Sequence, residues 1–168
     1  MVTFELDYRD SRIVQVEYKD IQFYDKVLLI DIICSLLYDN RVRFIVSDNI
    51  CKNYNMDCKF DLICLLDVSD EIISALIKKE KLDIEFYEQG REYMFFFNIE
   101  EDMVTVDIWP EYDEDRKRRC EVAYNDIKEM FLSFYQSLFQ YTEKCIENIG
   151  ENVVFCEWKR KLNELKLL

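Results

Sequence analysis

The hydrophobic pattern changes period along the chain, and each change marks an element. Residues 2–8 alternate, with Val2, Phe4, Leu6 and Tyr8 on one face and Thr3, Glu5 and Asp7 on the other, the period of a half-buried strand. Arg9-Asp10-Ser11-Arg12 reads as a turn and residues 13–18 as a second, β-branched strand, so the two predict a hairpin. Asp20 is placed to cap a helix running to about residue 39. The apolar positions of that segment, from Phe23 to Leu37, cover more than one face, as in a helix packed on two sides. Residues 41–46 predict a short strand with Val42, Phe44 and Val46 inward. Residues 47–60, holding several Asp and Asn and no period, predict a loop. The apolar run 62–66 fits either strand or helix and is read as strand.

Ser69 is placed to cap the next helix, with Asp70 and Glu71 in its first turn and Val68 and Ile73 as a hydrophobic staple. Lys78-Lys79-Glu80-Lys81 suits its end. Residues 82–88, 92–99 and 103–109 then read as three strands joined by two short connections, an antiparallel meander. The middle strand is apolar on both faces, with Tyr93, Phe95, Phe97 and Ile99 on one and Met94 and Phe96 on the other, which predicts cover, or partial cover, on each side. Pro110 stops the third strand. An acidic linker at 111–115 leads into Arg116-Lys117-Arg118-Arg119, from which a long helix is expected to run to about Ile149, with Gly150 just past its end. Asn152 caps a final helix bearing Val154, Phe155, Trp158, Leu162 and Leu165 on one stripe. The expected architecture is a single α+β domain over residues 1–168. It has one antiparallel, mostly meander sheet of about five to seven strands, packed by about four helices including the long one near the C-terminus.

Composition narrows the chemistry. Across 168 residues there is no His, so imidazole bases, His-ligated metals and Ser–His or Cys–His nucleophiles are excluded. Two Gly are too few for the phosphate-cradling loops of nucleotide-binding enzymes. The net charge is −13, which argues against nucleic acid and against an anionic membrane as partners. The charge is uneven. Residues 1–115 carry 12 Lys+Arg and 27 Asp+Glu, a balance of −15, whereas residues 116–168 carry 10 and 8, a balance of +2. The acidity therefore belongs to the sheet-rich part, as a surface steering in a basic partner would require. Cysteine is frequent at seven but odd in number and without a C-x-x-C pair, and Cys51, Cys58 and Cys64 are spaced too widely for a usual zinc knuckle. Free thiols, together with opening residues that have neither a basic nor an apolar leader pattern, make a cytoplasmic location the expectation.

The candidate functional residues are acidic and aromatic. Glu85 and Tyr87 stand at the end of the first meander strand. Glu100, Glu101 and Asp102 form the second connection, Asp107 and Trp109 lie on the third strand, and Glu111, Tyr112 and Asp113 follow it. Rigid aromatic anchors beside carboxylates make a protein-binding surface selective for basic partners. Tyr8, Tyr18 and Tyr54 are further candidates for exposed aromatics. Two alternatives use other residues. One is an oligomerising module that exposes Trp158, Leu162 and Leu165. The other is a carboxylate-only metal hydrolase centred on Asp107, although no carboxylate spacing supports it and no cofactor is called for.

The stretch Ile84-Glu-Phe-Tyr-Glu-Gln-Gly-Arg-Glu-Tyr-Met-Phe-Phe-Phe-Asn-Ile-Glu-Glu-Asp-Met-Val-Thr-Val-Asp-Ile-Trp109 is similar in style to the aromatic-rich antiparallel hairpins of immunity proteins from bacterial polymorphic-toxin and contact-dependent inhibition systems. In size, acidity and lack of catalytic signature the chain also resembles that class. The resemblance implies a non-catalytic inhibitor that binds a toxin domain, often a basic nuclease. Its carboxylates would stand where the substrate phosphates go.

Overall fold

The computed structural model describes residues 1–49, 51, 54–87, 93–110 and 117–167. Its strands are β1 (Thr3–Asp7), β2 (Arg43–Ser47), β3 (Leu82–Phe86), β4 (Tyr93–Glu100), β5 (Met103–Pro110) and β6 (Arg118–Ala123). Its α-helices are α1 (Lys26–Asp39), α2 (Asp61–Asp67), α3 (Ser69–Lys78), α4 (Tyr124–Cys145) and α5 (Val153–Leu167). The class is α+β, but the strands form two antiparallel sheets. One is the pair β1–β2 and the other has four strands in the order β3-β4-β5-β6.

The meander is where the alternation placed it, and its register is continuous: Phe95 lies opposite Ile84 on β3 and Ile108 on β5. Tyr93, Phe95, Phe97 and Ile99 do share the inner face. The opposite face of β4, with Met94, Phe96 and Asn98, is half-exposed and open to solvent. Cover is therefore full on the inner face and only partial on the outer one.

Four further expectations fail for identifiable reasons. Residues 13–18 form no hairpin with β1. Ile13 and Val14 are exposed, and Val16 makes only an isolated bridge to Ile146. β1 pairs instead with the distant β2, Phe4 opposite Val46 and Leu6 opposite Phe44. Asp20 caps nothing with its side chain and sits at φ 59°, a left-handed conformation that Asp tolerates. A 3-10 turn at Ile21–Phe23 follows, and Asp25 is the true cap of α1, its Oδ1 accepting the Leu28 N–H at 2.9 Å. Residues 62–66 are helical because the chain enters them through an Asp turn. Asp57 Oδ1 accepts the N–H groups of Lys59 and Phe60, each at 2.8 Å, and Leu62, Leu65 and Leu66 then bury at helical spacing. The basic cluster at 118–119 opens a strand, not a helix. Arg118, Cys120 and Val122 alternate with the exposed Arg119, Glu121 and Ala123, and α4 begins only at Tyr124.

Two helix-start expectations divide. Ser69 is the first residue of α3, but its hydroxyl donates back to the Leu66 carbonyl at 2.7 Å, leaving α3 without a side-chain cap. Asn152 does cap α5, its Oδ1 accepting the Phe155 N–H at 3.0 Å. Its amide also donates to the carbonyls of Ile21 and Tyr24, at 2.7 and 3.0 Å. One buried side chain thus ends one turn and starts another helix, which is how the irregular segment before α1 is fastened to the C-terminal half.

The core is aromatic at its centre. The Phe4 ring lies 5.5 Å from Phe131 on α4, 5.6 Å from Phe95 on β4, 6.2 Å from Phe86 on β3 and 6.4 Å from Phe44 on β2. All five side chains are at most 1% exposed, so each stands near its full transfer and dispersion benefit. Phe4→Ala is expected to lower unfolding stability by about 3–5 kcal/mol, measured by denaturant titration. A loss below ~1 kcal/mol would mean that the two sheets do not depend on this ring.

At the end of β1, Asp7 receives both Arg9 and Arg43. The Arg9 guanidinium donates at 2.9 and 2.8 Å. The Arg9 side-chain bond is the largest of the influences holding the Asp7 carboxyl well below the ordinary carboxylate range. Because the folded value lies below the unfolded one, this contribution is fully present above the unfolded pKa of about 3.9 and fades as pH falls below it. Asp7→Asn should therefore be less stable than the parent at neutral pH, and the gap should close on acidification. Melting curves from pH 7 to pH 3 test this, and a gap that stays constant would remove the linkage.

Candidate functional site

The four-stranded sheet has one face under the helices and one in solvent. Alternation on each strand decides which side chains reach the open face, and the register decides their neighbours. Asp83, Phe96, Asp107 and Arg119 form one cross-strand row, and Glu85, Met94 and Trp109 the next. The Phe96 and Trp109 rings meet edge to face at 4.9 Å. Arg119 donates to both oxygens of Asp107, Nε at 2.6 Å and Nη2 at 2.8 Å, a bidentate arrangement. The pair raises the Arg119 pKa further, through that side-chain hydrogen bond first. Lys117 Nζ stands 4.3 Å over the Trp109 ring, a cation–π contact. Asp83 and Glu85 are exposed and have no cationic partner among the described residues.

The structure brings together some of the sequence candidates and separates others. Glu85, Asp107 and Trp109 share the open face near one end of the sheet, with exposed Tyr87 just beyond the end of β3. Glu100 is on the same face at the opposite end, roughly 20 Å away by strand rise. Glu101 and Asp102 form the β4–β5 turn there, Glu101 at φ 53°. Lys79 Nζ holds that turn, donating to the Glu101 carbonyl at 2.7 Å and to Asp102 Oδ1 at 3.1 Å. It therefore serves as a tie to the end of α3, not as part of the aromatic cluster. Glu111, Tyr112 and Asp113 lie outside the described residues.

Other expectations about exposed groups are corrected by burial. Tyr54 is 5% exposed, and Tyr8 is half-buried and stacks on Tyr141 at 4.7 Å. Trp158, Leu162 and Leu165 are buried within the chain itself, so they offer no free patch for oligomerisation. The Asp107 carboxylate is engaged by Arg119, and among the described residues no group of three Cys, Asp or Glu side chains is placed to hold a metal. Cys58 is buried, its thiol donates to the Val42 carbonyl at 3.3 Å, and desolvation pushes its pKa up to about 12. It is thus a protonated core thiol at neutral pH.

Sequence reasoning placed Met94 and Phe96 on the second face of the middle strand without counting them as site residues, and missed Asp83, Lys117 and Arg119 altogether. The period-2 alternation over residues 118–123 carried the signal for Arg119, but the cluster of bases beside a helical run obscured it.

A buried polar unit fixes where β6 begins. Arg118 Nη1 donates to Asp48 Oδ2 at 3.1 Å and to the Tyr54 hydroxyl at 3.3 Å, while Tyr54 donates to Asp48. The Asp48 side chain is 7% exposed. Burial and the neighbouring carboxylate push the Tyr54 phenol well above its ordinary pKa.

No family model, curated protein or solved structure matches the chain. No helix among the described residues is long and apolar enough to cross a membrane.

Asp48→Ala removes the acceptor for Arg118 and Tyr54 together and should cost about 1–3 kcal/mol. It should also shift the fluorescence of Trp109, whose neighbour Lys117 directly precedes β6. An unchanged Trp spectrum beside the expected destabilisation would separate this unit from the open face; a Trp109→Phe control isolates that signal from Trp158.

Proposed function

We propose that this protein is a non-catalytic inhibitor that binds a basic partner protein through the open face of β3–β6. The partner fits the description of a toxin domain, most simply a nuclease, whose active site the inhibitor would cover. The observation that carries the reading is the juxtaposition of an aromatic pair, half-buried Phe96 and exposed Trp109, with Asp83 and Glu85, carboxylates that have no cationic partner among the described residues. Aromatic anchors supply apolar contact at small entropic cost, and carboxylates around them select for Lys and Arg. A nuclease site is built to receive phosphates, so an acidic surface is complementary to it. The reading places the protein in the cytoplasm, beside the machinery it protects.

The bidentate Asp107–Arg119 pair favours this over the metal-hydrolase alternative, because the guanidinium already neutralises the Asp107 carboxylate and would repel a divalent ion beside it, and among the described residues no second and third ligand stand near. The buried stripe of α5 likewise disfavours the oligomerising module.

The test is affinity capture of the chain's partner from the native host, followed by titration of the purified partner against it. Wild-type protein should bind and block its activity, with affinity falling from low to high salt. Trp109→Ala should weaken binding at least about tenfold while leaving the melting temperature nearly unchanged, since Trp109 is 38% exposed. Salt-independent affinity, or an acidic partner, would remove the electrostatic mechanism.

A further inference from the structure

The start of α1 leaves apolar side chains in water. Val27 is 73% exposed and Leu28 43%, and Phe23, in the turn just before, is 80% exposed. Between the first turns of α1 and the helix α2 runs a groove with buried Ile30 and half-buried Ile63 in it. Val27 and Leu28 border it, and the carboxylates of Asp25, Asp31 and Asp67 stand at its rim. Exposed apolar groups gathered in a groove and ringed by polar ones mark interaction sites rather than ordinary surface.

The charge at the rim is one-sided. Asp25, Asp31 and Asp67 have no cationic side-chain partner among the described residues. The neighbouring base, Lys26, turns to the Asp67 backbone carbonyl and to the Asp70 carboxylate, 3.6 Å away on α3. We propose that this groove docks a basic amphipathic helix from a partner protein, apolar residues against Val27, Leu28 and Ile63 and Lys or Arg against the three carboxylates. Helix-in-groove recognition needs this combination of apolar seat and selective rim. An acidic helix would be repelled. A second copy of this chain is a poor occupant, because the apolar stripe of its own α5 is buried and three of the four basic residues of that helix are already paired internally. Lys159 pairs with Glu143, Arg160 with Glu157 and Glu164, and Lys161 with Asp70. This groove shares no residue with the open sheet face, so it is a second docking surface of the molecule.

The probe is a synthetic helix with Leu at i, i+3, i+4 and i+7 and Lys elsewhere, and its twin with Glu in place of Lys, each titrated calorimetrically into the full chain. The Lys peptide should bind saturably and more weakly as salt rises, and the Glu peptide should not bind. Val27→Lys and Asp31→Lys should each weaken the Lys peptide by about tenfold or more without lowering the melting temperature, since both positions are exposed. Trp109→Ala should leave this binding unchanged, which separates failure of the groove from failure of the sheet-face reading. Equal binding of the two peptides, affinity within twofold of wild type in Val27→Lys, or loss of the peptide in Trp109→Ala would each overturn the proposal. So would a dimer of the free chain that Val27→Lys dissociates, because the occupant would then be a second copy.

Discussion

Both sheets and the long helix converge on the ring of Phe4, and on that of Phe44 beside it, which meets Phe86 on β3 and Phe134 on α4. β1 and β2 share no ladder hydrogen bonds with the four-stranded sheet, so something other than the backbone must hold the two sheets in register. Phe4 does it by touching Phe44 within its own sheet, Phe86, Phe95 and Phe97 across the gap, and Phe131 on α4. Aromatic pairs of this kind add about 0.5–1.5 kcal/mol each beyond area burial, and their edge-to-face preferences restrict the angle between the layers. The consequence for function is topological. With Phe86, Phe95 and Phe97 committed inward, alternation sends Met94, Phe96, Asp107 and Trp109 outward, and no helix among the described residues covers them.

The charges are organised by the same closure. Read along the chain, the acids of the first part and the bases of the last look like separate surfaces. In the fold they interlock, since Asp48 pairs with Arg118, Asp107 with Arg119 and Asp70 with Lys161. Among the carboxylates that have no cationic partner in the described residues, Asp83 and Glu85 stand beside the aromatic pair and Asp25, Asp31 and Asp67 around the groove of α1. The balance of −15 over residues 1–115 is therefore shared between the open sheet face and surfaces elsewhere, and does not belong to the sheet alone.

Local pattern was enough where the partner of an element is its neighbour in sequence. The meander, α3, the cap at Asn152 and the stripe of α5 were all legible, because a short connection leaves one pairing and a helical stripe one inward face. Pattern failed where the competing partner is far away. Residues 13–18 have strand-like composition, yet β1 pairs with β2 some forty residues downstream, and nothing local distinguishes the two. Asp20 and Asp25 are both chemically able to cap α1. Only the buried amide of Asn152, reaching the Ile21 and Tyr24 carbonyls, makes a turn of the first and a cap of the second. For the open face, the sequence indicated Glu85, Asp107 and Trp109 and put Phe96 on the second side of its strand, but not that Asp83 and Arg119 stand in one row with Phe96 and Asp107, since such a row is a property of register between strands and no single strand states it.

The open face already contains a small version of the contact proposed for it. Arg119 grips Asp107 with two hydrogen bonds, and Lys117 lies over Trp109, so both recognition elements, carboxylate fork and aromatic platform, are seen holding a cation. Because Lys117 and Arg119 come from the chain itself, their cost in side-chain entropy is partly met by the stiffness of β6, and the face is pre-organised before any partner arrives. Asp83 and Glu85 repeat the carboxylate element two strands over, without a cation among the described residues. A guanidinium or ammonium from a basic protein would complete on β3 what Arg119 completes on β5. The sheet's rigidity would then favour a partner whose cations match the strand spacing of about 4.8 Å over one that is merely positive.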